Sequence, residues 1–505
     1  MSATLLTLLA AAPILAVLAL MLGPGWSAAR AGAVGLALAT LLALAAFDLA
    51  GPAGSDARAL LGASAEAGFT AATILWILLP ALAIHGLGER TGRLDALRRA
   101  MAGLSPDPVL GAVLIGFFFA LFIEGAAGFG TPVALAAPLL VALGLPPERA
   151  LAAALIGHAA GVSFGAVGTP IQPQIQATGL SGEALAVWPA ILTALLAPVL
   201  LVFVLRIAGA TRAPQWRLGL LAAPLFLLPF AAIAILVGPE LPTLAGALLG
   251  GLLFAALLRR RAGVMAGGAA APALPAAPEL WRAAAPYLLL VALIAATRLV
   301  PPLREALQPV AWEWRLWGRF EGSFAPLYHP GTLLMAAFLL GAAITGAGAR
   351  EAGGALAGAA PRLLPVLAAL LVMLGLARVL VHAGMVERLA EGAAASLGAA
   401  WPIAAPFVGA LGTFVTGSAT TSNILFTELQ AGVAASLGLS APLILGAQTF
   451  GAAVGNIVCP HNIVAGCATV GIAGREGAVM RRTLPACLFY AAAGGLAAWG
   501  AARLL

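Results

Sequence analysis

One carboxylate stands inside an apolar stretch of this sequence, and the residues around it are helix breakers. The stretch is Phe122-Ile123-Glu124-Gly125-Ala126-Ala127-Gly128-Phe129-Gly130-Thr131-Pro132, between the apolar runs 108–123 and 133–145. An ionisable side chain in such a run is costly and faces protein or water rather than lipid. The spacing predicts a helix that stops at Glu124, a glycine break, and a second helix that restarts with Pro132 in its first turn. Half-helix N-termini offer free N–H groups to anions. Gly128, Gly130 and Thr131 are therefore candidate substrate contacts, and Glu124 is a candidate proton carrier. The competing reading is a plain loop between two ordinary spans.

A second polar run, Thr416-Gly417-Ser418-Ala419-Thr420-Thr421-Ser422-Asn423, precedes the apolar arm 424–437. Hydroxyls and an amide at that point are good N-cap chemistry. Seven consecutive small or hydroxyl residues exceed what a cap needs, so Ser418, Thr420, Thr421, Ser422 and Asn423 are candidate donors to a substrate carboxylate. Arg378 lies within a span; it either pairs with that carboxylate or snorkels to the outer surface with His382 one turn on. His158 either relays protons or packs as a hydrogen-bonded histidine. Glu428 is the other intramembrane acid and a candidate proton site. Cys459, Cys467 and Cys487 lack metal-ligand spacing and read as buried free thiols. No CxxC, GxxxxGK[ST], GxGxxG or HExxH occurs in a supporting context, and no nucleophile–base pair has usable spacing. The sequence points to no catalytic residue, no metal and no cofactor, and so to a protein that is not an enzyme.

The elements that must hold these residues are membrane helices. Of the 505 residues, 62% are hydrophobic and 9% charged, against about 25% charged in soluble domains. Spans of about 20 apolar residues fall near 3–22, 28–49, 68–87, 148–168, 184–207, 217–237, 241–258, 283–300, 331–347, 363–383, 440–458 and 483–503. Residues 1–22 read as a first span rather than a cleaved signal peptide. Two pairs of shorter segments, 108–123 with 129–145 and 401–416 with 422–437, read as re-entrant hairpins. The expected fold is thus all-α and polytopic, with about 12 transmembrane helices and two re-entrant helical hairpins.

Charge sets an orientation. Every one of the 26 basic residues is arginine, and the net charge of +7 reflects membrane topology rather than nucleic-acid affinity. With the loop of Arg90, Arg93, Arg98 and Arg99 in the cytoplasm and both hairpins returning to the side they entered, 18 arginines lie inside and 7 outside, as the positive-inside rule requires. Both termini are then outside, and the Trp-bearing loop 301–328 is an external interfacial segment.

The chain also repeats itself. Gly161-Val162-Ser163-Phe164-Gly165-Ala166-Val167-Gly168-Thr169-Pro170 and Gly451-Ala452-Ala453-Val454-Gly455-Asn456-Ile457-Val458-Cys459-Pro460 are both GxxxGxxxxP. Upstream, Glu124-Gly125-Ala126 aligns with Thr416-Gly417-Ser418, and Leu143-Gly144-Leu145 with Leu437-Gly438-Leu439. One GxxxG signals only close helix packing. The same ordered set twice, with hairpins entering from opposite sides, predicts an inverted repeat whose two breaks form the site.

At these residues a resemblance emerges. Glu124 to Ala134 resembles the EGAAGFG-x-P-V-A signature of the bacterial L-lactate permease family. Phe164 to Pro170, Gly238-Pro239-Glu240-Leu241-Pro242, and Thr416-Gly417-Ser418 with Ser422-Asn423 and Leu425-Phe426 are similar to further family segments in the same order. The resemblance covers most of the chain. It implies a proton-coupled symporter of L-lactate, D-lactate and glycolate in the bacterial inner membrane, with an elevator-type ion-transporter fold. This chain departs from the family pattern in carrying Ala419 where members commonly have an acid, His158-Ala159 where they have Asn-Thr, and Asn456 where they have Lys. A sodium-coupled carrier of another small carboxylate stands as the alternative.

The expected organisation is scaffold helices over 1–67, repeat one over 68–207 with its hairpin at 108–145, and scaffold helices over 208–259. A cytoplasmic linker at 260–281, scaffold helices and an external loop over 282–362, and repeat two over 363–505 with its hairpin at 401–437 complete it. The expected partners are a small carboxylate, a proton and the lipid bilayer, with a homodimer as the candidate assembly and no nucleic acid.

Overall fold

Apolar runs punctuated by polar caps, glycines and prolines dictate a helical chain, and the computed structural model follows them closely. It describes all residues except 1, 23, 25, 51–52, 94–104, 106, 129 and 266–276. Helices α1 (Ala3–Leu22), α2 (Ala28–Ala46) and α3 (Asp56–Arg90) come first. Ser27 and Ser55 cap α2 and α3 by accepting the N–H groups of Arg30 and Arg58. Next is α4 (Pro108–Ala126), capped by Asp107 and carrying a π-helical turn at Leu114–Phe119. It is followed by α5 (Thr131–Ala142) and α6 (Pro147–His158), which tightens into a 3₁₀ stretch at Ala159–Phe164.

A kinked turn, Gly165–Gly168, leads into α7 (Gln172–Thr178). Then follow α8 (Gly182–Ala208), α9 (Ala213–Leu236), α10 (Pro242–Met265), α11 (Ala277–Leu299) and the short α12 (Pro301–Leu307). An antiparallel ribbon pairs β1 (Trp312–Leu316) with β2 (Phe320–Phe324), Trp314 opposite Gly322. The remaining helices are α13 (Pro330–Ile344), α14 (Ala349–His382), α15 (Met385–Leu397), α16 (Trp401–Thr416), α17 (Ala419–Leu437), α18 (Ala441–Gly455), α19 (Pro460–Thr469) and α20 (Glu476–Ala502).

Among the described residues, thirteen helical stretches are long and apolar enough to cross a bilayer. They include the first hairpin arm, Pro108–Ala126, and Met385–Thr416, whereas Pro330–Ile344 is a shorter apolar helix. The protein is therefore a polytopic helical membrane protein, with the ribbon in the 301–328 loop as a departure from an all-α chain. Two boundaries also differ from expectation. Helix α10 continues to Met265 and α11 begins at Ala277, because Ala-rich flanks extend helices readily. The rest of the expected linker, 266–276, lies outside the described residues, as do Arg98 and Arg99 of the expected cytoplasmic loop.

Burial sorts the helices. The window Pro108–Ala126 is wholly buried, as is Pro147–Gly168, whereas α1 and α2 present mostly exposed apolar faces, as lipid-facing helices do. The buried helices approach through glycine. A β-carbon on Gly157 would collide with the carbonyl of Gly116, and one on Gly451 with the carbonyl of Pro406. Such backbone-to-backbone contact is the usual basis of helix association in lipid, where apolar burial supplies little. It seats α6 on α4 and α18 on α16, which fixes the hairpin arms beside the two broken helices.

Candidate functional site

Both hairpins turn on left-handed glycines. Helix α4 runs past Glu124 to Ala126 before breaking, one half-turn beyond the predicted stop. Gly130, at φ 79°, precedes α5, a conformation that glycine adopts without the clash of a β-carbon. The Thr131 hydroxyl donates to the Gly128 carbonyl at 2.5 Å and closes the turn. In the second hairpin Gly417, at φ 77°, ends α16, and Ser418 caps α17 by accepting the Thr421 N–H at 3.2 Å.

The two turns face one small cleft, about 360 Å³ when its open mouth is included. Glu124, Gly128 and Gly130 line it from the first hairpin, and Gly417, Ser418, Ala419 and Thr420 from the second. The break after α6 contributes Val162, Gly165, Ala166, Thr169 and Pro170, and the break after α18 contributes Asn456. At the first break Ala166 and Val167 take left-handed φ values of 41° and 56°, strain of about 1–3 kcal/mol per residue that typically collects at functional sites.

Glu124 is the single ionisable residue lining the cleft among the described residues, and it is 6% exposed. Its carboxyl lies against Gly165, and no ion pair among the described residues involves it. The donors around it are neutral: the Ser418 and Thr420 hydroxyls, the Asn456 amide, and the first N–H groups of α17, which lack intrahelical acceptors. Two helix N-termini aimed into one cavity suit a bound anion.

Not every residue singled out from the sequence reaches this cleft. Gly128, Gly130, Ser418, Thr420 and Glu124 do. Ser422 and Asn423 are fully buried and already bonded. Ser422 donates to the Gly409 carbonyl at 2.8 Å, while Asn423 donates to the Pro170 carbonyl at 2.8 Å and to the Thr449 hydroxyl at 3.0 Å. They belong to a network that continues through Gln448 and Gln430 to Trp401. Depth along the helix explains this: Ser422 and Asn423 lie one turn beyond Ser418 and Ala419 on the same face, and so sit below the turn, against α16 and α18. Thr421 and Thr131 lie beside the lining residues, with Thr131 committed to its own turn.

His158 is 1% exposed and its Nδ1 lies 2.9 Å from the Ala154 carbonyl, the geometry of a packing histidine, with Asn456 among its polar neighbours. Arg378 and Glu428 are elsewhere altogether. They pair with each other at 3.4 Å, and Arg378 also faces Glu66 at 3.8 Å. Arg378 thus does not line the cleft; it stands inside the protein between the carboxylates of Glu66 and Glu428.

Other polar residues, outside the candidate site set, join distant elements. Asn462, on α19, donates to Asn456 and approaches Gly130, tying the second break to the first hairpin. Glu240 forms a buried pair with Arg298 at 2.8 Å, and Arg298 also stacks 3.5 Å over the Tyr328 ring. The only signal for Glu240 was its place in the Gly238–Pro242 segment; its partner lies 58 residues away.

Comparison with known proteins identifies the family. The family model described as L-lactate permease matches residues 6–505. The L-lactate permease of Salmonella typhimurium is 30% identical over 83% of this chain and 82% of its own. The glycolate permease GlcA of Escherichia coli is 29% identical over 92% and 90%. The solved structure of Neisseria gonorrhoeae MtrF, described as one of a class of antimetabolite efflux pumps, covers 85% of this chain and 80% of its own at 17% identity, with a TM-score of 0.48. Permeases are transporters rather than enzymes, and the match spans nearly every helix described above. The chain belongs to the L-lactate permease family, as a multi-pass transporter of the bacterial inner membrane.

Proposed function

We propose that the protein carries L-lactate and related 2-hydroxymonocarboxylates, D-lactate and glycolate among them, in symport with protons. The names of the relatives supply the substrate class. The observation that carries the coupling is the make-up of the cleft: two helix N-termini and neutral donors to attract an anion, with one carboxylic acid as the only titratable group among the described residues that line it. Two carboxylates brought together in one partly buried cleft repel each other. Substrate and proton therefore enter as a pair, the proton residing on Glu124 while the hydroxyls and helix ends hold the substrate carboxylate. The loaded cleft carries no net charge and crosses the membrane; a cleft holding either partner alone crosses poorly.

The repeated order of break, arm, LGL and GxxxGxxxxP supports an inverted repeat, with the two hairpins and broken helices moving together as an elevator against α1–α3 and α8–α14. Uptake of labelled lactate into proteoliposomes under an imposed inward proton gradient, with and without sodium, tests the proposal. Accumulation that follows the proton gradient and is competed by glycolate is the expected result. A strict requirement for sodium would instead establish a sodium-coupled carrier on the same fold.

A further inference from the structure

A second ionisable cluster lies away from the cleft, where α3, α14 and α17 meet beneath the β-ribbon. His382 Nε2 is 2.8 Å from Glu66 Oε2. Arg378, one turn earlier on α14, stands 3.8 Å from the same oxygen and 3.4 Å from Glu428 on α17. The other Glu66 oxygen accepts the N–H of Glu321 on β2 at 3.3 Å. Phe320 packs edge-on against the His382 ring, centroids 4.6 Å apart. These side chains are largely buried, between 11% exposed for Glu66 and 21% for Glu428.

The charged groups around the cluster can be counted. Arg319 donates to the backbone carbonyls of His382, Leu49 and Ala50. Glu387 on α15 is close enough to Glu428 to interact with it. The Glu321 carboxylate is taken by Arg315 in the open, at 2.6 Å. Glu66 and Glu428 thus share the single guanidinium of Arg378, while Arg319 is spent on backbone carbonyls, so one of the two carboxylates is left without a guanidinium of its own. An imidazolium at His382, donating to Glu66, balances it. An uncompensated charge removed from water is costly, so the cluster holds a place for one proton.

We propose that the Glu66–His382 pair is a proton-uptake site of the transport cycle, linked through Arg378 and Glu428 to the second arm of the hairpin that lines the cleft. Glu428 lies eight residues along α17 from Thr420, on the same helical face. When His382 is neutral, Arg378 is the remaining cation beside Glu66 and is drawn from Glu428, which loosens α17 from α14. When His382 is protonated, Arg378 is free to hold Glu428, and the arm is tied. This site rests on the proton-coupled reading above.

The test uses the full-length protein in proteoliposomes, with lactate as the probe, comparing wild type, His382→Gln and Glu66→Gln over a range of external pH. Gradient-driven accumulation should fall roughly tenfold in both variants, within the range of coupling energies between linked sites, and lose its dependence on external pH. Lactate counterflow, which needs no net proton movement, should stay within about twofold of wild type. A proton-driven wild type whose variants keep its pH profile overturns this site alone. A wild type driven only by sodium overturns the coupling reading and this site with it. Loss of counterflow in both variants also overturns the proposal, because the pair would then serve only to hold the fold; Glu66→Gln, which keeps the shape of the side chain, guards against a simple folding failure at His382.

Discussion

The carboxyl of Glu124 rests on the α-carbon of Gly165, so closely that any side chain at position 165 would occupy the place of Oε1. The first hairpin and the first broken helix are thereby fitted to each other at Glu124, the ionisable group that lines the cleft among the described residues. Gly165 has φ −64° and ψ 158°, so its backbone tolerates any residue; only the carboxyl forbids one.

Gly165→Ala should therefore act through Glu124. Overpacking of this kind costs about 1–3 kcal/mol, read as a lowered Tm in detergent. Transport should fall further than stability, because the displaced carboxyl no longer faces the cleft. Unchanged uptake in this variant would show that the position of Glu124 does not matter.

Glu124→Gln keeps the shape of the side chain and removes its proton chemistry. Proton-driven accumulation should be abolished while lactate exchange persists. Full accumulation in the mutant would sink the assignment of Glu124.

Thr420→Ala and Asn423→Ala should separate cleft from scaffold. Thr420 lines the cleft, so its loss should raise the KM for lactate with little change in Tm. Asn423 bonds Pro170 and Thr449 in the interior, and stranding those partners costs about 1–3 kcal/mol. That variant should lose Tm first and transport in proportion. The reverse pattern would mean that the cleft is wrongly bounded.

Arg298→Ala leaves Glu240 buried without its cation, which costs about 3–5 kcal/mol for pairs of this type. Glu240→Gln, which leaves Arg298 with Tyr328, should cost less. Thermal unfolding of the two variants checks the order.

Acid should weaken the start of α13 through His329. Burial chiefly, with Arg298 nearby, lowers this imidazole from 6.5 to about 4, and its Nδ1 accepts the Gly331 N–H at the start of α13. A histidine depressed in the folded state contributes its stability above the unfolded value and loses it as pH falls through that window. Tm should therefore drop between about pH 6.5 and 4, and His329→Asn, which keeps an acceptor at the cap, should flatten that drop.

The sequence by itself determined the class of protein and the position of both hairpins. Apolar length, scarce charge, and Gly or Ser beside each break are local properties, and a helix in lipid has no other way to satisfy its backbone. Glu124 was legible for the same reason, as a charge that lipid cannot solvate. What only the tertiary structure decided is which polar side chains share a cavity. Ser422 and Asn423 look as well placed as Thr420 in the one-dimensional run, yet they lie one turn deeper on α17 and are taken by Gly409, Pro170 and Thr449. Arg378 reads as a lone intramembrane cation until α3 and α17 bring Glu66 and Glu428, 312 and 50 residues away, against it. Pairings at such separations leave no local pattern, because each partner needs only to be an acid on the right face of a helix packed from elsewhere in the chain.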